Sequence, residues 1–207
     1  MCFSAQASFG TSIVLLTIGF LTIRKNKNQD MKLFSYIPLL FGIQQFFEGV
    51  IWSTQADQSL IFYTQLSTYA FLFFAYIVWP VFIPLTAYLM ETRERKKRCL
   101  ASFIGIGTVV SSGLFWIMIC NGAVATILCD HISYLVNVPE VFNGWSLFWY
   151  IMATLVPFFI SSKKYMREFG IIVGLSALIS FFFYSYYFTS VWCFFSALIS
   201  SIIFFLL

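Results

Sequence analysis

One acidic residue, Glu48, lies inside a long apolar segment of the chain. A carboxyl group in a membrane-spanning helix costs about 2.5–3.5 kcal/mol to insert, so such residues usually face the interior of a helix bundle and serve a function. Gln44 and Gln45 precede Glu48 at helical spacing, which brings at least one amide group onto its face. This pattern favours a proton-accepting or ligand-anchoring carboxyl group. The alternative is a glutamate that is held by hydrogen bonds for packing, or that reaches water at the surface.

A second group of reactive side chains is the run Cys129-Asp130-His131, which contains the only histidine. A thiol, a carboxylate and an imidazole could act as nucleophile, orienting group and base. Residues adjacent in sequence rarely point at one another, however, so a polar loop with an interfacial histidine is the favoured interpretation. If the protein is an enzyme, its candidate catalytic residues are Glu48, His131 and Cys193, a cysteine near the C-terminus.

The composition indicates which elements position these side chains. Of 207 residues, 60% are hydrophobic and 10% are charged, whereas soluble domains carry roughly 25% charged residues. We predict an all-α, polytopic membrane protein that forms a single domain over residues 1–207. A spanning helix needs roughly 20 mostly apolar residues. Seven segments fit, at about residues 8–23, 33–53, 60–90, 99–119, 144–161, 169–187 and 190–207.

The basic residues predict the orientation of these spans. All 12 lie in the loops that follow the first, third and fifth spans: Arg24, Lys25, Lys27, Lys32, Arg93, Arg95, Lys96, Lys97, Arg98, Lys163, Lys164 and Arg167. Because positive loops stay in the cytoplasm during insertion, we expect the N-terminus outside and the C-terminus in the cytoplasm. The expected location is a bacterial inner membrane, and clusters of this kind do not indicate nucleic-acid binding.

This orientation brings several reactive or polar side chains to the outer half of the protein. They are Cys2, Glu48, Cys129, Asp130, His131, Trp192 and Cys193. The predicted ligand-binding residues are Gln44, Gln45, Glu48, Trp52, Trp79, Trp192 and Cys193. Pro80 and Pro84 should also leave the carbonyl groups of Tyr76 and Pro80 without their helical donors, which bends the third span.

The long loop from about Cys120 to Asn143 is apolar, and we expect it to lie on the membrane face or to fold over the helices. Both of its cysteines are on the predicted outer side, where a disulfide between Cys120 and Cys129 can persist. No CxxC pair is present. We predict no metal site and no cofactor, because zinc would need an unusual set of cysteine, glutamate and aspartate ligands.

Several segments resemble an uncharacterised bacterial integral-membrane family. They are the opening Met1-Cys2-Phe3-Ser4, the segment from Gln44 to Trp52, Trp79-Pro80 with Pro84, and Ser190-Val191-Trp192-Cys193-Phe194. The resemblance implies no activity, but it singles out Cys2, Glu48, Trp79, Pro80, Trp192 and Cys193.

Two better-known groups have a similar seven-span layout. Microbial rhodopsins need a lysine in the last span for retinal, and no predicted span here contains lysine, which excludes a retinal pigment. Ceramidase-like membrane hydrolases bind zinc through several histidines, whereas this chain has one.

Three functions remain open at this point. We favour a polar pocket around Glu48 that binds a small amphipathic molecule or a membrane lipid. The alternative is a membrane-embedded hydrolase or transferase, directed at a lipid or a thiol, in which Cys193, Cys129 or His131 assists Glu48. The third is a structural accessory subunit. The oligomeric state stays open.

Overall fold

The computed structural model describes residues 4–136 and 140–207, without the side chains of residues 140–143. Its elements, in chain order, are α1 (Ala5–Lys25), α2 (Lys32–Thr54), α3 (Ile61–Leu72), α4 (Trp79–Met90), α5 (Glu94–Asn121), β1 (Ala123–Leu128), β2 (His131–Val136), α6 (Glu140–Ile160), α7 (Lys164–Phe183), α8 (Phe188–Ser200) and α9 (Ile203–Leu206). The chain is thus mainly helical, as predicted.

Five helical segments of the described chain are long and apolar enough to cross a membrane: Ala5–Lys25, Gln58–Met90, Glu94–Asn121, Lys164–Phe183 and Ser185–Leu206. A shorter apolar helix covers Gly144–Ile160. Helix α2 is not among the five, since Gln44, Gln45 and Glu48 lower its mean hydropathy. These helices support the prediction of a membrane protein.

The described residues form two compact units. The first draws on Met1–Phe74, Ala123–Leu135 and Ser176–Leu207, and the second on Ala75–Gly122 and Val136–Leu175. The candidate residues on α2 and α8 all belong to the first unit.

In the first unit, α1 and α2 pack closely and run antiparallel. A Cβ atom on Gly19 would lie 2.5 Å from the backbone nitrogen of Leu39. Ser12, which precedes Gly19 on α1, donates its hydroxyl to the carbonyl of Gly42, which follows Leu39 on α2, at 2.8 Å. Small residues at such positions let helix backbones approach each other. The close packing of α1 against α2 therefore holds in place the helix that carries Gln44, Gln45 and Glu48.

The apolar loop after α5 contains a β-hairpin that the sequence did not predict. Its two turn residues, Cys129 and Asp130, have φ values of 49° and 58°, as in a two-residue hairpin turn of mirror-image type. The hairpin packs on α3, where the Gln65 amide donates to the Ala123 carbonyl at 2.7 Å and Tyr134 stacks on Phe71. The disulfide considered above is not formed, because Cys120 and Cys129 are both free thiols.

A π-helical turn before Pro80 changes which carbonyl group this proline leaves without a helical donor, whereas Pro84 is preceded by regular helix. Residues Phe73–Val78 form a π-helical turn, in which carbonyl groups pair with the residue five positions later. Position 80 is proline and lacks the donor, so the Ala75 carbonyl is left over instead of that of Tyr76. The Tyr150 hydroxyl donates to it at 2.6 Å.

The sixth predicted span also ends earlier than expected. Helix α7 ends at Phe183, since Tyr184 leaves helical geometry with φ −136° and ψ 37°. A 3-10 turn over Ser185–Tyr187 then leads into α8. This short connection fixes where α8 begins, and therefore which of its residues face α2.

Candidate functional site

The polar residues of α2 all lie in the interior of the first unit. Gln44 and Gln45 are 0% exposed and Glu48 is 2% exposed. Their spacing of three and four residues keeps them on neighbouring positions of one helical face, as the sequence predicts. On α8, Ser190 and Cys193 are separated by three residues, share a face and are buried too.

Two polar contacts join these faces. The Ser190 hydroxyl donates to Glu48 Oε1 at 2.5 Å, and the Gln44 side chain contacts the Cys193 thiol. Later residues of α2 therefore pair with earlier residues of α8, so the two helices run antiparallel. The cluster formed by Gln44, Gln45, Glu48, Ser190 and Cys193 is called the α2–α8 cluster below.

Gln45 is the least satisfied member of the α2–α8 cluster. Its side chain approaches the Glu48 carboxyl group. Within the described residues, however, neither its amide nitrogen nor its amide oxygen has a hydrogen-bond partner. Buried polar side chains nearly always have such partners, and each exception needs an explanation. A fully buried amide whose one polar neighbour is a carboxyl group can therefore receive further partners from another molecule.

Glu48 also keeps capacity for further contacts. A carboxylate has about four acceptor positions, whereas the Ser190 hydroxyl and the Gln45 side chain are the polar contacts of Glu48 in the described chain. No lysine or arginine of the described residues forms an ion pair with it. The cluster can thus bind a hydroxyl, amide or amine group better than an anion, because nothing in it offsets a second negative charge.

The described residues contain no group of three or more histidine, cysteine, aspartate or glutamate side chains that could bind a metal ion. Cys193 lies close enough to Glu48 to feel its charge. The α2–α8 cluster thus brings together a carboxyl, a hydroxyl, a thiol and two amide groups that can donate and accept hydrogen bonds.

Comparison of the sequence with known protein families assigns the chain to one of them. The profile of one protein family matches residues 1–207, the entire chain. The chain belongs to DUF6629, a family of unknown function. Searches of curated proteins and of solved structures found no match. The DUF6629 match confirms the resemblance to an uncharacterised family and carries no activity with it.

The other predicted ligand-binding residues of this DUF6629 protein are three tryptophans. Trp192 is 6% exposed and packs its ring on Phe188 at 5.2 Å. Trp52 is half-buried on α2. Trp79 is buried in the second unit, and Cys2 lies outside the described residues.

His131, the candidate base, begins strand β2 of the DUF6629 hairpin. Its Nδ1 lies 2.7 Å from the Cys129 carbonyl oxygen. Its ring packs against Tyr187 and Tyr184, with centroids 4.8 Å and 5.1 Å away. These contacts orient the ring within an aromatic group at the end of the hairpin.

Sequence analysis of the DUF6629 chain missed Ser190, which makes the closest contact to Glu48. The signal was present, because Ser190 precedes the candidate Cys193 by three residues and so shares its helical face. What the sequence lacked was the angular position of α8 about its axis, which only packing determines.

Proposed function

We propose that this DUF6629 protein binds the polar group of a small amphipathic molecule or lipid at the α2–α8 cluster. The observation that carries the proposal is the Gln45 amide, which is 0% exposed and has no hydrogen-bond partner at either end among the described residues. Leaving a buried polar group unsatisfied costs about 1–3 kcal/mol. A ligand that supplies the missing partners recovers that free energy.

The proposed ligand carries a hydroxyl, amide or amine group on an apolar body. Its polar group would donate to Glu48 and exchange hydrogen bonds with Gln45, while its chain would lie among apolar side chains. Since Gln45 and Glu48 are both buried, α2 and α8 must separate at this level to admit it. The Ser190–Glu48 hydrogen bond is the contact that opens.

The proposal includes a seven-span arrangement in a bacterial inner membrane, with the N-terminus outside. The segregation of all 12 basic residues supports it. Helix directions within the first unit agree with it. Helix α2, the second crossing, runs antiparallel to α1 and α8, the first and seventh crossings, as an even and an odd crossing require. In this arrangement the α2–α8 cluster lies in the outer half of the membrane.

Replacement of Glu48 by Gln, and separately of Gln45 by Leu, tests the binding function. We expect the molecules that co-purify with the wild-type protein, measured by mass spectrometry of its extract, to fall about tenfold or more in Glu48→Gln, because hydrogen bonds to charged groups contribute about 1.5–3 kcal/mol. Gln45→Leu should deplete the same molecules.

Thr86→Val is the matched control. The Thr86 hydroxyl is also buried without a partner in the described chain, but it belongs to the second unit. This variant should retain the wild-type molecules. Identical molecules in equal amounts from wild type, Glu48→Gln and Gln45→Leu would contradict the proposal and favour a packing role for the Ser190–Glu48 contact.

The proximity of the Cys193 thiol to Glu48 supports a second candidate, a membrane-embedded acyl transferase. The Cys193 sulfur would attack the acyl carbon of a lipid ester, Glu48 would take the thiol proton, and the departing alcohol would receive it. The intact mass of the same purified preparations tests this step. An acyl adduct that disappears in Cys193→Ser supports it, and an unmodified wild-type chain treated with a lipid ester contradicts it.

A further inference from the structure

A small cavity lies at the ends of α1 and α2, apart from the α2–α8 cluster. Its volume is about 120 Å³, and its polar lining comes from Asn26, Lys27, Asn28, Gln29, Lys32 and Ser35. A water molecule takes up about 30 Å³ of liquid, so the cavity has room for a larger polar group.

Hydrogen bonds within the loop use the amide oxygens of Asn26 and Asn28, which leaves their NH₂ groups as donors for the cavity. The Asn26 Oδ1 atom accepts from the Asn28 N–H at 2.9 Å. The Asn28 Oδ1 atom accepts from the Asp30 N–H at 3.0 Å. Both amide oxygens are therefore engaged within the loop, and the NH₂ groups of the same side chains are what each asparagine can still offer.

The charges of the cavity are also available. Lys27 and Lys32 form no ion pair within the described chain, and Asp30, the acidic residue of this loop, does not line the cavity. The two neighbouring basic residues are engaged elsewhere. Arg24 lies 4.1 Å above the Phe20 ring, and the Lys25 ammonium donates to the Phe204 carbonyl at 2.9 Å.

We propose that this cavity binds a phosphate-type anion, either the headgroup of an anionic phospholipid or free phosphate. Two ammonium groups and two amide NH₂ groups supply charge and donors without an opposing carboxylate, which is the chemistry that phosphate oxygens require. Basic pockets between membrane-spanning helices bind lipid headgroups in the same way. This site is independent of the α2–α8 cluster.

The test compares the full-length wild-type protein with the double variant Lys27→Gln/Lys32→Gln. The matched control is Lys96→Gln/Lys163→Gln, which removes equal charge from residues that do not line the cavity. Retention of phosphatidylglycerol relative to phosphatidylcholine is measured by native mass spectrometry after reconstitution in an equimolar mixture. Thermal unfolding with and without inorganic phosphate forms the second arm.

We expect the cavity variant to lose about tenfold or more in phosphatidylglycerol retention, since it lacks the two ammonium groups that attract an anionic headgroup. The control should lose much less, because Lys96 and Lys163 do not line the cavity. Loss of retention in the cavity variant alone assigns the site to a lipid headgroup. Stabilisation of wild type by phosphate that the cavity variant lacks, without lipid retention, assigns it to free phosphate. Equal behaviour of the two double variants, or no effect in either arm, overturns the proposal.

Discussion

Two buried acids of this protein differ in how their oxygen atoms are used. Glu48 is 2% exposed and Glu91 is 3% exposed. Glu91 Oε1 accepts from the backbone N–H groups of Thr92 and Arg93, each at 3.0 Å, and its Oε2 accepts from the Ser162 N–H at 2.7 Å. Glu91 is thus saturated and joins two backbone segments of the second unit. Glu48 has a single hydroxyl donor, and this difference is why we assign a binding role to Glu48 alone.

The saturation of Glu91 predicts a dependence of stability on pH. Burial acts to raise its pKa, but hydrogen bonds from Arg93, Ser162 and Thr92 outweigh that effect and hold the pKa below its usual value. A lowered pKa in the folded state means stabilisation that is fully present above the unfolded pKa of about 4.3. It is lost as the pH falls through the lower, folded pKa.

Replacement of Glu91 by Gln should therefore destabilise the protein by about 1–3 kcal/mol at pH 7, because an amide cannot accept all three backbone donors. Thermal unfolding in detergent between pH 3 and 7 measures this. The difference from wild type should shrink at the acid end, where Glu91 takes up a proton. Glu94→Gln, an exposed change three residues away, should have little effect. A Glu91→Gln difference that stays constant down to pH 3 would contradict the argument.

At the scale of elements, the π-helical turn and the two prolines define how α4 meets α5. Pro84 leaves the Pro80 carbonyl without its helical donor. Gly107 of α5 faces that carbonyl so closely that a Cβ atom would overlap with its oxygen. One turn further along α5, the Ser111 hydroxyl donates to the Ile77 carbonyl at 3.1 Å. The small residues of α5 therefore let the two helices approach closely, and the Ser111 hydroxyl satisfies the Ile77 carbonyl without water.

This contact predicts that Gly107→Ala destabilises the second unit by about 1–3 kcal/mol, as overpacked sites do. The matched control is Gly105→Ala in the same helix, where a Cβ atom meets nothing within 4 Å. That change should be neutral or stabilising by about 0.5–1 kcal/mol, because alanine favours the helix. Unfolding midpoints of the two variants in one detergent separate steric overlap from propensity. Similar shifts in both would contradict the close contact.

The helices could be predicted from the sequence, whereas the β-hairpin and the contact made by Ser190 could not. Long apolar segments predicted the helices, and the face shared by Gln44 and Glu48 followed from helical spacing. The β-hairpin did not, because its turn has Cys129 and Asp130 in left-handed geometry in place of the usual Asn-Gly pair. Its apolar strands also resemble an interfacial loop. Ser190 was missed for a related reason, since spacing gives a helical face but not the helix it contacts.

At the scale of the whole molecule, the proposed arrangement depends on which ends of the helices lie on the same side of the membrane. The loop after α1, the start of α5 and the loop after α6 carry the basic residues. The phosphate-type site belongs to the first of these loops, and the α2–α8 cluster lies further along α2 towards its other end. If the basic ends face the cytoplasm, the two proposed sites address opposite leaflets.

Native cysteines test this arrangement without inserted reporters. Cys99, Cys120 and Cys129 are exposed, and Cys193 is buried. Cys99 follows Arg98 at the basic end of α5, whereas Cys120 lies at the other end of the same helix. In a Cys2→Ser background, a membrane-impermeant maleimide applied to intact spheroplasts should label Cys120 and Cys129, and it should reach Cys99 only after permeabilisation. Peptide mass spectrometry identifies each labelled residue, and Cys193 serves as the internal unlabelled reference. Labelling of Cys99 in intact spheroplasts, with Cys120 protected, would place the basic ends outside and move the α2–α8 cluster to the cytoplasmic half.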